Sequence, residues 1–388
     1  MLYSPATPPK FRMSAFQNCH DIPSVARHFS MSGELTEFRP CGQGLINDTY
    51  EVRFNQGGVA VRYIIQRINH NVFQHPELVM DNIIRVTSHI AQRLKHTGEK
   101  DLGRRVLTLI PTRSGKRWYK DEAGNTWRGY IYVEGAEAHD RVESPALAEE
   151  AARAFGEFQS HLVDLKGPRL ADTIPNFHHT RSRYNALLQA IDDNAAGRIK
   201  SVRTELDWIM EREPVVDVLL NLQSAGELPE RITHNDTKIN NVMMDVNTGE
   251  GLCVMDLDTV MPGLVLYDFG DLVRTTTIST AEDSLELDAV QMRRSMFDAL
   301  VRGYLRGAGG FLTDTEVEYL AFSGKLITLE TGIRFLTDYL NGDVYFKTTR
   351  PTHNLDRFRV QARMVESIEA QETALQGAVE EFRKSLPA

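Results

Sequence analysis

Three polar residues stand at intervals that suit chemistry. Asp236 lies in the run His234-Asn235-Asp236-Thr237-Lys238-Ile239-Asn240-Asn241, Asn241 follows five residues later, and Asp256 lies in Val254-Met255-Asp256-Leu257-Asp258. A carboxylate can take the proton of an incoming hydroxyl, and an amide oxygen with a second carboxylate suits a hard divalent cation. That is the set phosphoryl transfer needs: an oriented nucleophile and neutralised charge on the phosphates. Asp236 is the candidate base. Asn241 and Asp256 are the candidate ligands for Mg2+, which takes one or two carboxylates plus phosphate oxygens and water. A polar hairpin with turn-stabilising Asn and Asp has the same residue types, and the spacing is what favours chemistry.

The elements that must hold these residues follow from the flanking pattern. Short apolar runs, Val242-Met243-Met244 and Leu252-Cys253-Val254, surround Asn247-Thr248-Gly249-Glu250-Gly251, a hairpin signal. Symmetry about Thr248 and Gly249 places Asn241 directly opposite Asp256 at the open end, where facing Cβ atoms lie about 4.5–5.5 Å apart. Upstream, Thr49–Phe54 and Val59–Ile65 around Asn55-Gln56-Gly57-Gly58 read as another hairpin. Residues 76–96 carry Val79, Ile83, Val86, Ile90 and Leu94 at helical spacing. Strands are expected near 105–111 and 126–133. Beyond Gly135, helices are expected near 145–163, 181–192, 202–222, 284–306, 314–340 and 356–384. The fold class is therefore α+β, a bilobal chain with a tail (1–20), a small β-rich lobe (21–134) and a larger, mainly helical lobe (135–388).

Bulk properties narrow the class. The 388 residues are 41% hydrophobic and 25% charged, with a net charge of −9 and no dense Lys/Arg run, which argues against a nucleic-acid partner. Cys19, Cys41 and Cys253 lack metal-ligand spacing and read as reduced thiols. No apolar stretch is long enough for a membrane span. The first twenty residues lack the apolar core of a secretory signal, so cytoplasmic residence is the expectation.

The pattern His-x-Asp-x-x-x-x-Asn from His234 to Asn241, with Asp256 downstream, resembles the aminoglycoside phosphotransferase and choline kinase group. The longer strings Asp256-Leu257-Asp258-Thr259-Val260-Met261-Pro262-Gly263 and Asp268-Phe269-Gly270-Asp271 resemble the N-acetylhexosamine 1-kinases, over about residues 25–375. The resemblance implies a protein-kinase-like fold, ATP and Mg2+, and a small-molecule sugar acceptor phosphorylated on the anomeric hydroxyl of GlcNAc or GalNAc, in a monomer or homodimer. It also puts the metal on Asp256 and not on Asp268. Asp268 and Asp271 are then structural, capping a helix that starts near Leu272.

In Gly42-Gln43-Gly44-Leu45-Ile46-Asn47-Asp48-Thr49, Gly42 and Gly44 allow backbone amides to approach phosphate oxygens. Asn47, Thr49 and Gln66 are further candidate nucleotide contacts. The third-strand segment Tyr63-Ile64-Ile65-Gln66-Arg67 has no Lys, so Gln66 or Arg67 stands in. Val133, in a hinge at Tyr132-Val133-Glu134, is the candidate backbone contact to adenine. A hairpin after the glycines, where a dinucleotide fold has a helix, disfavours a dehydrogenase. On the helix Leu326–Leu340, the stripe Leu326, Leu329, Ile333, Leu336 and Leu340 faces a core. Glu330, Arg334 and Asp338 taken alone read as an exposed ion-pair ladder. The resemblance assigns Arg334 and Tyr345 to the sugar, with Thr259 and His234 as further candidates. Leu45 replaces a polar His of the sugar-binding relatives, which bears on sugar preference. His178-His179 read as surface or loop residues. The alternatives are a kinase for an aminoglycoside or amino alcohol, and a nucleotide-binding pseudokinase.

Overall fold

The computed structural model describes residues 20–42 and 46–385; Cys19, Gly44 and Leu45 lie outside them. Two compact units are present: the chain up to Asn69 with Leu109–Tyr130, and His70–Thr108 with Ile131 onward.

The smaller unit is built on an antiparallel sheet of five strands: β1 (Glu34–Pro40), β2 (Asp48–Gln56), β3 (Val59–Ile68), β4 (Tyr119–Lys120) and β5 (Thr126–Ile131), in the order β1-β2-β3-β5-β4. The β2–β3 hairpin turns at Gly57-Gly58, whose φ values of 63° and 95° are the left-handed geometry that tight hairpins require. Alternation along β2 sends Tyr50, Val52 and Phe54 into a core with Ile65, Trp127 and the short helix Ile22–Arg27. β1 is exposed along almost its whole length, so it has no alternation to betray it. The strand expected at 105–111 does not form. Leu102–Arg105 is a helical turn, Leu109 makes a single bridge to Tyr130, and Pro111 cannot donate to a longer ladder.

The larger unit is mainly helical. Pro76–His96 and Pro145–Leu162 form close to where periodicity places them. Pro145–Leu162 packs against Arg294–Ala308 at glycine contacts: a Cβ on Gly303 would lie 2.0 Å from the Glu149 carbonyl oxygen. The helix Leu320–Leu340 runs through the core, with Leu326, Leu329, Ile333, Leu336 and Leu340 each at most 1% exposed. The single helices read at 202–222, 314–340 and 356–384 are each broken, around Pro214, at Tyr319 and after Glu369. The one expected near 284–306 starts at Arg294.

Short strands complete this unit: β6 (Ala136–Glu137), β7 (Arg231–Thr233), β8 (Val242–Asp245), β9 (Gly251–Val254) and β10 (Met261–Gly263). They form a three-stranded sheet, β6-β8-β9, and a two-stranded one, β10-β7. Cys253 on β9 is a buried packing residue whose thiol is pushed up to about 12 by burial. No helix among the described residues is long and apolar enough to cross a membrane.

Candidate active site

The loop His234–Asn241 leaves β7, which pairs with β10 through Thr233 and Met261. Backbone geometry fixes its course. Asn235 takes a left-handed conformation, φ 65°, which Asn tolerates better than most residues. Its amide donates to the Thr259 and Thr233 carbonyls at 2.9 and 3.2 Å, and its Oδ1 accepts from the Thr233 hydroxyl at 3.0 Å. His234 is fully enclosed. Its Nε2 lies 2.8 Å from the Met255 carbonyl oxygen, so it donates there, and its Nδ1 accepts from the Asp236 N–H at 3.3 Å. Those two bonds fix one neutral tautomer and tie the loop to the residue before Asp256. With both nitrogens engaged, His234 holds the site together and is not a sugar contact. Thr259 is also turned inward: its hydroxyl donates to the His234 carbonyl at 2.7 Å.

Asp236 and Asn241 come together as their spacing suggested. The Asn241 amide donates to the Asp236 carbonyl at 2.8 Å and to its Oδ2 at 3.3 Å, which leaves the amide oxygen as the group with ligand character. Asp236 Oδ1 pairs with Lys238 Nζ at 2.6 Å. Burial raises the Asp236 carboxyl, but the Lys238 ammonium, helped by Arg274, outweighs it, so the group sits below its ordinary value. It is therefore ionised at neutral pH and able to accept a proton. No spacing signal marks Lys238, although it lies in the loop two residues after the base.

The register places Asp256 differently from the symmetric hairpin. Val242 pairs with Val254 and Met243 with Cys253, and the ladder shifts between Met243 and Met244. The Met255 N–H donates to the Asn241 carbonyl at 2.9 Å, so Met255 and not Asp256 lies opposite Asn241. The cause is the turn: the Asp245 carboxylate accepts the N–H groups of Asn247 and Thr248, which moves the centre of the hairpin toward Asp245. A one-residue slip would send a strand side chain to the other face. Asp256 has left the strand, with φ 57° and ψ 56°, so alternation no longer governs it. A non-glycine residue in that region is strained.

The loop is pinned from beneath by Asp268, which is fully buried. Its Oδ1 accepts from the Asn235 N–H at 2.6 Å, and its Oδ2 from the His234 N–H at 2.8 Å and the Gln159 amide at 2.6 Å. The Thr237 hydroxyl donates to the Asp268 carbonyl at 2.5 Å. Burial raises the Asp268 carboxyl, against the opposing pull of these donors. The helix carrying it is Val265–Thr277, seven residues earlier than expected. Asp268 therefore does not cap a helix starting near Leu272; it clamps the neighbouring loop. On the same helix, Asp271 pairs with Arg274 at 2.8 Å.

His178 lies in a turn, as its reading as a loop residue has it, but not at the surface. It is buried, with Nδ1 2.8 Å from Glu330 Oε1 and Nε2 3.0 Å from the Asn235 carbonyl oxygen. Both partners are acceptors, so both ring nitrogens must donate and the ring is an imidazolium. Burial pushes it down, but the Glu330 carboxylate and the Asn235 carbonyl raise it overall. Glu330, 1% exposed, also accepts from the Thr180 hydroxyl at 2.6 Å. No sequence interval hints at this link, since 152 residues separate the partners. His179 serves the next helix by accepting from Ser182 N at 3.2 Å.

Glu330, Arg334 and Asp338 form no ladder. Asp338 accepts the N–H groups of Val344, Tyr345 and Phe346 and so fixes the segment presenting Tyr345, which is 64% exposed. Arg334 lies over the rings of Phe177 and Phe346, at 5.5 and 5.6 Å.

In the smaller unit, Gly42 has φ 79°. Asn47 Oδ1 accepts from the Asn69 N–H at 2.9 Å. Thr49 faces Gln66 across β2–β3, and its hydroxyl accepts from the Gln66 amide at 2.9 Å. Gln66 Oε1 is gripped by Arg128, 1% exposed, at 2.9 and 2.5 Å. Arg67 is occupied by Asp48 at 2.6 Å. Of the two substitutes for the missing Lys, Gln66 is thus the one held by a buried cation. Val133 is buried in the larger unit.

With this geometry in hand, comparison with known proteins is informative. The profile of the phosphotransferase enzyme family (APH) matches residues 37–313. The chain belongs to that family. Among solved structures it is similar to an aminoglycoside phosphotransferase from Alicyclobacillus acidocaldarius subsp. acidocaldarius DSM 446, with TM-score 0.61 and 14% identity over 95% of this chain and 99% of that one. A spectinomycin phosphotransferase in complex with ADP and spectinomycin gives TM-score 0.51 and 15% identity over 90% and 97%. An ethanolamine kinase from Plasmodium vivax gives 0.50 and 12% over 84% and 82%. At such identities the likeness establishes the fold: this phosphotransferase has the kinase-like architecture of a sheet-based N-lobe and a larger helical C-lobe.

Proposed function

We propose that this phosphotransferase is an ATP- and magnesium-dependent kinase that phosphorylates the anomeric hydroxyl of an N-acetylhexosamine of the GlcNAc or GalNAc type. The observation carrying the kinase chemistry is the position of the Asp236 carboxylate, within hydrogen-bond reach of Asn241 and Lys238 on a loop clamped by Asp268. Asp236 takes the proton of the sugar hydroxyl as its oxygen bonds to the γ-phosphorus, the bond to the bridging oxygen breaks, and ADP leaves. Lys238 supplies positive charge beside that transfer.

The donor set fits magnesium. Among the described residues no three His, Cys, Asp or Glu side chains gather as a metal cage, and Mg2+ needs only one or two carboxylates besides phosphate oxygens and water. Asn241 and Asp256 would hold it. Asn240 Oδ1, next in the loop, is buried with no hydrogen-bond partner, an orphan oxygen that suits a cation or its water. When bound, the ion would neutralise charge on the phosphates.

Nucleotide contacts are assigned to Gly42, Gly44, Asn47, Thr49 and Gln66, with Val133 for adenine. Acceptor contacts are assigned to Arg334 and Tyr345. The sugar reading is supported by the strings Asp256–Gly263 and Asp268–Asp271 and by the aromatic setting of Arg334. The solved relatives named for aminoglycosides and for ethanolamine favour a second reading, an amino-group-bearing acceptor.

Phosphorus NMR of the products from ATP with GlcNAc, GalNAc, spectinomycin and ethanolamine separates the two, because a sugar 1-phosphate couples to its anomeric proton. Asp236→Asn is expected to lower kcat by roughly a thousandfold with ATP affinity within a few-fold of the parent. Turnover near the parent rate in that variant refutes the assignment of the base.

A further inference from the structure

We propose that the acceptor pocket is built for a hexose bearing an anionic substituent, gripped by the paired guanidinium groups of Arg183 and Arg334; this rests on the sugar-kinase reading above. Both arginines converge on one residue. Arg183 donates to the Phe177 carbonyl from Nη2 at 2.8 Å and from Nε at 3.3 Å, while Arg334 lies over the Phe177 ring at 5.5 Å. Phe177 is followed by His178, whose Nε2 lies 3.0 Å from the Asn235 carbonyl oxygen, one residue from the proposed base.

Glu330 acts on both guanidinium groups through space, but its ion pair is with His178. Neither arginine has a carboxylate at ion-pair distance among the described residues, whereas Arg181, two positions away, pairs with Glu213 and Asp217. The two nearby acids are spent: Glu330 on His178 and Thr180, and Asp338 on three backbone N–H groups and the Asn354 amide. Burial, and then the charge of Arg334, push the Arg183 guanidinium below its ordinary value, against the opposing pull of Glu330 and Tyr345. A planar fork matches a carboxylate or sulfate oxygen pair. An ammonium-bearing acceptor would be repelled by the same groups.

The test is a charge series on one scaffold: glucosamine, N-acetylglucosamine, N-acetylglucosamine 6-sulfate and glucuronic acid. Binding is read by titration calorimetry and turnover by ADP release. The anionic sugars are expected to bind roughly tenfold or more tighter than the neutral one, and glucosamine weakest. Arg183→Gln should abolish that preference while ATP affinity stays unchanged, and Arg183→Lys should restore part of it. Equal binding of neutral and anionic sugars, or equal loss of both in Arg183→Gln, overturns this inference and leaves the sugar kinase standing. If no sugar binds while spectinomycin or ethanolamine is phosphorylated, both readings fall.

Discussion

Replacing His178 probes the buried link between the loop bearing Asp236 and the helix Leu320–Leu340. The His178 and Glu330 side chains are 6% and 1% exposed, so water does little to screen them. Removing one partner of a buried ion pair strands the other, at about 3–5 kcal/mol. Glu330 would keep the Thr180 hydroxyl, which places His178→Gln near the lower end, about 3 kcal/mol. In a double-mutant cycle with Glu330→Gln, the coupling should be about 2 kcal/mol. The pair also has a pH signature. The folded-state value of His178 is raised, so its contribution is complete below the unfolded value of about 6.5 and is lost as pH rises through the folded value. The folded-state value of Glu330 is lowered, because His178 and Thr180 outweigh burial. Its contribution is present above about 4.3 and is lost as pH falls through the folded value. Urea unfolding of parent and variant between pH 5 and pH 9 should therefore show the widest gap near pH 5–6.5, narrowing on the alkaline side. Turnover should fall about tenfold because the Asn235 carbonyl loses its anchor, with ATP affinity unchanged. A gap independent of pH, or a coupling below about 0.5 kcal/mol, would show that the imidazolium assignment is mistaken.

Two further outcomes follow from the clamp and the β7–β10 contact. Asp268→Asn turns an acceptor of three donors into a side chain that must present an NH2 to at least one of them. It should cost about 2–3 kcal/mol in urea unfolding and lower kcat at least tenfold in the ADP-release assay, without raising the apparent Mg2+ requirement, since its carboxylate oxygens are taken by two loop N–H groups and Gln159. Gly263→Ala would set a Cβ 2.4 Å from the Thr233 hydroxyl oxygen and 3.1 Å from Asn235 Oδ1. It should cost about 1–3 kcal/mol in a thermal melt and reduce turnover, and a melting point unchanged from the parent would count against that close approach.

The division between sequence and tertiary structure runs along interaction range. Alternation in β2 and β3, the Gly57-Gly58 turn, the stripe along Leu326–Leu340 and the five-residue interval from Asp236 to Asn241 are local features. Neighbouring residues set them, so they can be read without knowing what packs against them. The same locality hides other features. β1 is exposed and carries no hydrophobic period, and the shifted register of β8–β9 arises from the Asp245 turn and an irregularity in the ladder that symmetry cannot foresee. The roles of His178, Glu330, Asp268 and Gln159 were settled only in three dimensions. A charged or polar residue in a helix reads as solvent-facing until a distant partner makes its burial affordable. Here Glu330 is inside because His178 meets it, and Asp268 is inside because the backbone of a loop 33 residues upstream supplies the donors that replace water.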